Sequence, residues 1–588
     1  MVSARQRILI LAVSVILFAV AGTIVWFRWQ RGTQLESQAI RPPATDRGSA
    51  TPSSRTKAET ESPIQFALMS RFKTGIDFEY YGSPSDEHYM TEQNGGGVGL
   101  FDADGDGQLD VFLTNGSHFK HPAKAVGASQ RLFRQTADWQ FEDITVPAGL
   151  QAFGFGQGCA AADYDNDGFC DLFVASYGAN QLWHNNGDGT FQDVTQEAGV
   201  ADDRWGTSAA FADLDGDGNP ELYVVNYVDW TPDRITSRRI PSPMDFQGLP
   251  DRLFRNTGDG RFESVGAEAG IAIAGEGKGL AVSIADLDGD RRPDIYVAND
   301  TTRNFLFRNL GGLKFEETGV LSGCAVSQDG SIGSSMGVAV GDYNRDGWFD
   351  LFVTNFAGEL LDALTGHGPD GFVANNAELG LDPLSRPLLN FGIVLADFDS
   401  DLWPDLFFAN GHLWDDTAAG HEYRMRPSLL RNFGGKRFRD VSAVAGDYFQ
   451  KRWLGRAVAV GDLDNDGDAD LVVTHIEAPP ALLRNDSRRA GHVLRLKMIG
   501  TRSARQPLGM RVDVVVGNQT IAAHLRSGDS FQASHDDRLL IPVGDATIVD
   551  EVRVYWLGGE TETWTNLPTD ELNYLIEGTG DARMKIGR

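Results

Sequence analysis

The residues best suited to chemistry are acids in a fixed pattern. Asp102, Asp104, Asp106 and Asp110 stand at positions 1, 3, 5 and 9 of one short stretch, with Gly107 at position 6. The spacing returns six more times. The further sets are Asp163, Asp165, Asp167 and Asp171; Asp213, Asp215, Asp217 and Glu221; Asp286, Asp288, Asp290 and Asp294; Asp342, Asn344, Asp346 and Asp350; Asp397, Asp399, Asp401 and Asp405; and Asp462, Asp464, Asp466 and Asp470. Five of the seven copies keep Gly at position 6. A hard cation such as Ca²⁺ takes six to eight oxygens at roughly 2.3–2.6 Å. Carboxylates on alternate residues, a Gly for the sharp turn and a final acid wrap one such ion. An EF-hand places its last acid at position 12 and continues into a helix, and neither holds here. One copy alone would be an ordinary solvated turn. Seven in register predict up to seven structural calcium ions.

The elements that must hold these loops are also repeated. Each final acid leads into a short β-branched or aromatic run, such as Leu172–Val174, Leu222–Val225, Ile295–Val297 or Leu471–Thr474, which reads as a buried strand. A second piece has the form Leu-x-Arg-Asn and begins at Leu132, Leu182, Leu253, Leu306, Leu429 and Leu482, with some substitutions. A third begins at Phe141, Phe191, Phe262, Phe315 and Phe438, and in all five Gly follows eight residues later. A Gly-rich apolar run such as Gly337–Gly341 then enters the next loop. Four strands in each of seven repeats predict an all-β fold, a seven-bladed β-propeller with calcium loops over residues 64–488. A solenoid such as a parallel β-helix has much shorter repeats. The fifth repeat matches least well: Phe372–Asn375 serves as its second piece, and it has no evident third. The seventh has no third piece, and Phe66–Met69 near the N-terminus resembles one. Residues near 64–72 are therefore expected to shut the ring and hide its edge strands.

The loops and repeats resemble FG-GAP and VCBS-type repeats, as in integrin α-chain propellers. Together with Leu496–Gly500, Leu508–Val512, Arg526–Ser530 and Val552–Trp556 in the C-terminal part, they make the chain similar to the cartilage acidic protein family with its ASPIC/UnbV domain. It departs from the family pattern at Ile541–Gly544 and Trp556–Gly559. The resemblance implies a secreted or surface calcium-binding protein and no defined activity.

Residues 1–31 read as an N-terminal membrane anchor: Ile8–Phe27 is 20 residues without a charge, between Arg5 and Arg7 on one side and Arg28 and Arg31 on the other. A cleaved signal peptide ending near Ala21 is the alternative. Residues 32–63 are Ser, Thr, Pro, Ala and charge, a disordered linker. Residues 489–580 alternate apolar and polar in short runs and predict a small β-sandwich-like domain packed beside the propeller, before a tail at 581–588. Within it Arg511, Arg526, Arg538 and Trp556 form either a binding patch or a solvated face.

Net charge is −30, and 27 of the acids belong to the loops, so much of the acidity is a metal requirement. No basic face exists for nucleic acid. Cys159, Cys170 and Cys324 give no disulfide framework, though a Cys159–Cys170 bridge can be drawn; Cys324 fills an apolar place in its repeat. Insertions at 229–250, 356–371 and 411–427 follow the strands leaving calcium loops and should gather on the opposite face, where binding residues usually lie. There Asn115, Tyr177, Trp205, Asn226, Asp300, Asn355, Asn410, Trp453 and His475 are expected to ring the channel mouth, with His118 and His412 close by. The competing account is that the Asn and Asp side chains only satisfy turn backbone. No catalytic motif stands out. The sequence thus predicts a membrane-tethered, extracytoplasmic (periplasmic or extracellular) calcium-binding propeller. It would bind a protein or glycan opposite the loops, for adhesion or as an envelope scaffold. A polysaccharide hydrolase or lyase with its site in the channel is the alternative.

Overall fold

The computed structural model describes residues 63–582, apart from 83–84, 86–87, 118, 120–128, 235–240, 274, 416, 418–419 and 421. The expected anchor, nearly all of the linker, most of the 581–588 tail and His118 lie outside those residues. Among the described residues no helix is long and apolar enough to cross a membrane.

Among the described residues the repeats form six antiparallel four-stranded sheets and one five-stranded sheet, the first, in which four antiparallel strands are joined by Ala533–Ser534 pairing parallel to Val98–Phe101. In the second, the strands are Phe155–Ala162, Asp171–Tyr177, Gln181–Asn185 and Phe191–Asp193. The acid loop joins the first strand to the second, which starts on the loop's ninth residue. Sheets stacked on both sides bury both faces, so nearly every residue of Asp171–Tyr177 is inside and its sequence runs apolar without alternation. Each innermost strand packs on its neighbours, and Val98–Phe101 packs on both Phe155–Ala162 and Gly455–Gly461, which makes the arrangement circular. The expected propeller architecture is therefore found. Phe66–Leu68 supplies the outer strand of the last sheet, with Phe66 opposite Asn485, Ala67 opposite Arg484 and Leu68 opposite Leu483.

The Gly that trails each outer Phe has a steric reason. Gly149, Gly199, Gly270 and Gly323 all have φ between +74° and +88°. A Cβ on them would lie 3.1, 3.0, 2.7 and 2.6 Å from the carbonyl oxygens of Phe191, Phe262, Phe315 and Phe372 on the next sheet. The repeat thus marks where one blade presses on the next.

The fifth sheet corrects the sequence reading. Its third strand is Asp362–Gly366, and Phe372–Ala374 is its outer strand, not its second repeated piece. Asp362–Gly366 escapes notice because Gly366 stands where Asn does elsewhere, and backbone alone preserves the contact: Gly366 N–H donates to Asp350 Oδ1 at 2.9 Å. Residues 356–371 are therefore partly blade and only partly insertion.

The C-terminal part forms a three-stranded sheet (Leu539–Gly544, His492–Ile499, Leu572–Ile576) and a five-stranded sheet (Gln519–His524, Arg511–Val516, Ile548–Tyr555, Thr561–Pro568, Asp581–Ala582). It does not stand beside the ring. It sits on the acid-loop end, where Leu496, Met510, Val512 and Trp556 share one core with Phe173, Phe211 and Leu222 of the blades.

Residues 526–536 go further and thread the channel. Ser527 Oγ donates to Phe211 O (2.6 Å) and Asp529 N–H to Val282 O (2.9 Å). Ser530 exchanges backbone bonds with Val338, and its hydroxyl accepts from Ile393 N–H at 3.2 Å. Val98 N–H donates to Gln532 O (3.2 Å), Ala161 N–H to Ser534 Oγ (3.1 Å) and Val460 N–H to His535 Nδ1 (3.1 Å). Each of the seven innermost strands thus bonds to this one segment.

Candidate metal centres

The acid loops share one set of hydrogen bonds. In all seven the position-6 N–H donates to the position-1 carboxylate at 2.7–3.1 Å. The position-2 N–H donates to the position-9 acid at 2.8–3.2 Å. The position-7 N–H donates to the position-5 carboxylate at 2.8–3.0 Å. The backbone turns through the left-handed region at positions 4 and 6, with φ of +78° and +84° at Gly105 and Gly107. Arg291 (+71°) and Leu402 (+80°) adopt it too, so the loop keeps its shape where Gly is missing.

These bonds occupy some carboxylate oxygens and leave others. Asp104 Oδ1, Asp163 Oδ1, Asp399 Oδ1 and Asp462 Oδ1 are buried without a hydrogen-bond partner, an arrangement native proteins rarely leave unmet. Acid oxygens of Asp102, Asp104 and Asp110 lie within 4.8 Å of one another, as do those of Asp213, Asp215 and Glu221. Burial, with the neighbouring acids adding, pushes Asp110 up to about 8 and Asp163 and Asp213 up to about 7. Crowded, desolvated carboxylates with spare oxygens fit a hard divalent cation. Such an ion would supply the missing partner and offset the mutual repulsion. The sixth loop is partly filled from within, since Arg431 donates to Asp399 and Asp401, each at 2.8 Å.

The Leu-x-Arg-Asn piece proves to be a staple between blades. Asn185 N–H donates to Asp171 Oδ1 (2.8 Å), while its amide donates to Ala103 O of the preceding loop (2.8 Å). Asn256, Asn309, Asn432 and Asn485 do the same toward Tyr164, Leu214, Tyr343 and Phe398. Gln135 does so from the first blade toward Leu463 of the last at 2.9 Å, and the fifth blade, with Gly366 there, has no such amide. The ninth acid is thereby tied both to its own loop and to the strand that locks the preceding blade.

At the opposite end the insertions come together. Trp230, Phe246 and Leu249 meet Met425, Leu413 and Phe356 in one apolar cluster with Tyr89, Trp205, Tyr227 and Phe391, and Phe531 of the threaded segment reaches it. Arg456, fully buried, lies 4.0 Å over the Phe391 ring and donates to the carbonyls of Gln93, Gly411, Gly455 and His412. The residues expected to ring the mouth are placed as follows. Asn115 accepts from Tyr81 N–H; Asn226, Asn355 and Asn410 donate to Pro250, Leu360 and Arg426 carbonyls. Asp300 accepts from the Tyr227 hydroxyl. Trp205 packs edge-on to Tyr177, which is half-buried; Trp453 stacks on His475 at 4.7 Å. His475, 2% exposed, bonds to Pro479 and Tyr448. His412 is buried. The amides do serve turn backbone, and aromatic side chains close the mouth.

Arg526 and Arg538, assigned to a patch or a solvated face, instead face the propeller: Arg526 donates to Leu395 O and Arg538 to Asp462 O. Arg511 reaches Gly347 O, and Trp556 is buried. All three cysteines are buried and free.

A family model for the FG-GAP-like repeat matches residues 102–174, 163–224, 246–297, 286–353 and 397–473, together about half of the chain. The chain belongs to the FG-GAP-like repeat family. An ASPIC and UnbV model matches residues 500–582, the part that caps and threads the FG-GAP ring. Cartilage acidic protein 1 of Mus musculus is 26% identical over 494 residues, which is 82% of this chain and 64% of that protein. Its Homo sapiens counterpart is 26% identical over 321 residues, 53% of this chain and 45% of that one. The chain therefore spans less than two thirds of these relatives. Among solved structures, a lectin of Agrocybe aegerita recognising non-reducing terminal N-acetylglucosamine is similar at 16% identity and a TM-score of 0.37, over 60% of this chain and 81% of that one. YCF48 bound to D1 peptide is similar at 9% identity and a TM-score of 0.37, over 66% and 89%.

Proposed function

We propose that this FG-GAP chain is an exported recognition protein, stiffened by calcium in its acid loops and tethered by Ile8–Phe27, that presents its insertion face to a protein or glycan. The observation that carries the calcium reading is the set of buried, unpartnered carboxylate oxygens inside loops of one geometry. At extracellular calcium, sites of roughly 10⁻⁴–10⁻³ M are largely filled, so the ions are structural and not a signal. Similarity to a protein named for cartilage accords with export. The filling of the channel from both ends supports recognition over catalysis: residues 526–536 thread it from the loop end, and Trp205, Trp230 and Phe391 close the other. Among the described residues of the insertions, Met244 is 76% exposed and offers apolar surface to a partner.

The test immobilises the full chain and passes protein and glycan fractions over it with calcium, then with chelator, while melting temperature is followed in parallel. Calcium-dependent retention and a calcium-raised melting temperature are expected. No thermal shift at saturating calcium would sink the metal reading, and a shortened glycan emerging from the column would replace recognition with catalysis.

A further inference from the structure

In the first, second, fourth and sixth blades the third strand lays one side chain back over its own acid loop. It is the residue before the stapling position, which is Asn in five blades, Gln135 in the first and Gly366 in the fifth: arginine in five of the seven blades, Thr365 in the fifth and His184 in the second. Three of the arginines are counter-ions to their loops: Arg134 lies 3.7 Å from Asp104, Arg308 pairs with Asp288, and Arg431 bonds to Asp399 and Asp401. His184 differs in kind, because an imidazole nitrogen can also be a metal ligand.

The geometry around it suits that role. His184 Nδ1 lies 3.3 Å from Asp165 Oδ2 and 3.2 Å from Asp171 Oδ1, within pairing distance of both carboxylates. Ligand atoms of Asp165, Asp167 and His184 fall within 4.8 Å of one another, and so do those of Asp163, Asp165 and Asp171. Asp163 is 3% exposed, and its Oδ1 has no partner. Donors bound to one small ion at about 2.1 Å stand roughly 3.0–3.4 Å apart along the edges of an octahedron or tetrahedron. The nitrogen-to-oxygen separations in this loop have that length. Calcium and magnesium take oxygen donors, whereas imidazole suits the iron-to-zinc end of the first row.

We propose that the second loop is a site for a borderline divalent ion such as Zn²⁺. Its ligands are His184 Nδ1 and oxygens of Asp163, Asp165 and Asp171, while the other loops keep calcium. Coordination requires the neutral imidazole with its proton on Nε2. The proposal rests on the reading of the loops as cation sites, but its readout is separate.

The purified full chain is stripped with chelator, returned to excess calcium, and given one equivalent of Co²⁺ at pH 8. Visible d–d absorption and one cobalt retained through gel filtration are expected, with Zn²⁺ displacing it. In His184→Arg, which installs the residue five other blades carry, the bands and the retained cobalt should vanish, while the calcium-induced rise in melting temperature persists. If that variant fails to fold, His184→Thr, the residue of the fifth blade, should give the same loss. Cobalt retained by both variants, or washed from the unaltered chain by calcium, overturns the proposal. Absence of any calcium-induced thermal shift would overturn the broader reading, and the cobalt spectrum would still report on this site alone.

Discussion

Position 6 of the acid loops separates backbone from side chain. Its φ is +84° at Gly107 and +80° at Leu402, so the conformation belongs to the loop and not to the residue. A Cβ on Gly107 would meet nothing within 4 Å. Gly107→Ala should therefore cost only the left-handed penalty, about 1–2 kcal/mol. Leu402→Gly should relieve that strain, offset in part by the roughly 0.5–1 kcal/mol of extra chain entropy glycine gives up. Urea unfolding in saturating calcium measures both, and like signs for the two would refute the argument. Asn309 tests the staple: it is fully buried and donates to Leu214 O at 2.8 Å and Pro293 O at 3.0 Å. Asn309→Ala leaves buried carbonyls unpaired and should cost about 1–3 kcal/mol. A cost below about 0.5 kcal/mol would mean water replaces the amide. The acids were legible in the sequence because their spacing states their chemistry. The staple was not, since Asn309 and Leu214 are 95 residues apart and only the ring brings them together.

At the level of elements, the strands could be read wherever burial on two faces wrote an apolar run, and the fifth blade was misread where Gly366 replaces the marker Asn. The threaded segment 526–536 had no such signature. Arg526, Ser527, Asp529, Ser530, Gln532, His535 and Asp536 look like a surface loop, yet their polarity answers the unpaired backbone of seven inner strands. Its seating should depend on pH. Burial, and then the nearby Arg526, lower His535 from 6.5 to about 3. Between those values the unfolded chain binds a proton that the folded chain does not. The stability is present above about pH 6.5 and is lost as pH falls toward the folded value, by up to about 1.4 kcal/mol per unit. From pH 7 to pH 5 His535 alone should remove about 2 kcal/mol. His535→Asn, which keeps an acceptor for Val460 N–H, should flatten that slope relative to the unaltered chain in saturating calcium. Parallel slopes would show that His535 is protonated when seated.

For the whole molecule the question is what makes seven sheets one unit. Calcium is one answer: an ion at twenty times its Kd adds about 2 kcal/mol per loop. Chelator should lower the melting temperature steeply, and Asp104→Ala should remove one loop's share. The C-terminal part is the other answer. It shares a core with Phe173, Phe211 and Leu222, and its threaded segment meets donors or acceptors on all seven inner strands. A chain ending at residue 488 keeps every loop and the closing strand Phe66–Leu68. It would nonetheless open the channel to water and leave Val98, Val338, Ile393 and Val460 N–H groups without their protein partners, each costing about 1–3 kcal/mol where water cannot reach. It would also uncover the faces of Phe211 and Leu222 that Met510 and Val512 cover. In saturating calcium the full chain should melt in one transition, and the chain stopped at 488 should melt broadly or aggregate. If the truncated chain melts as sharply and within a few degrees of the full one, the ring is self-sufficient, calcium alone binds the blades together, and the threaded segment is a passenger in the channel.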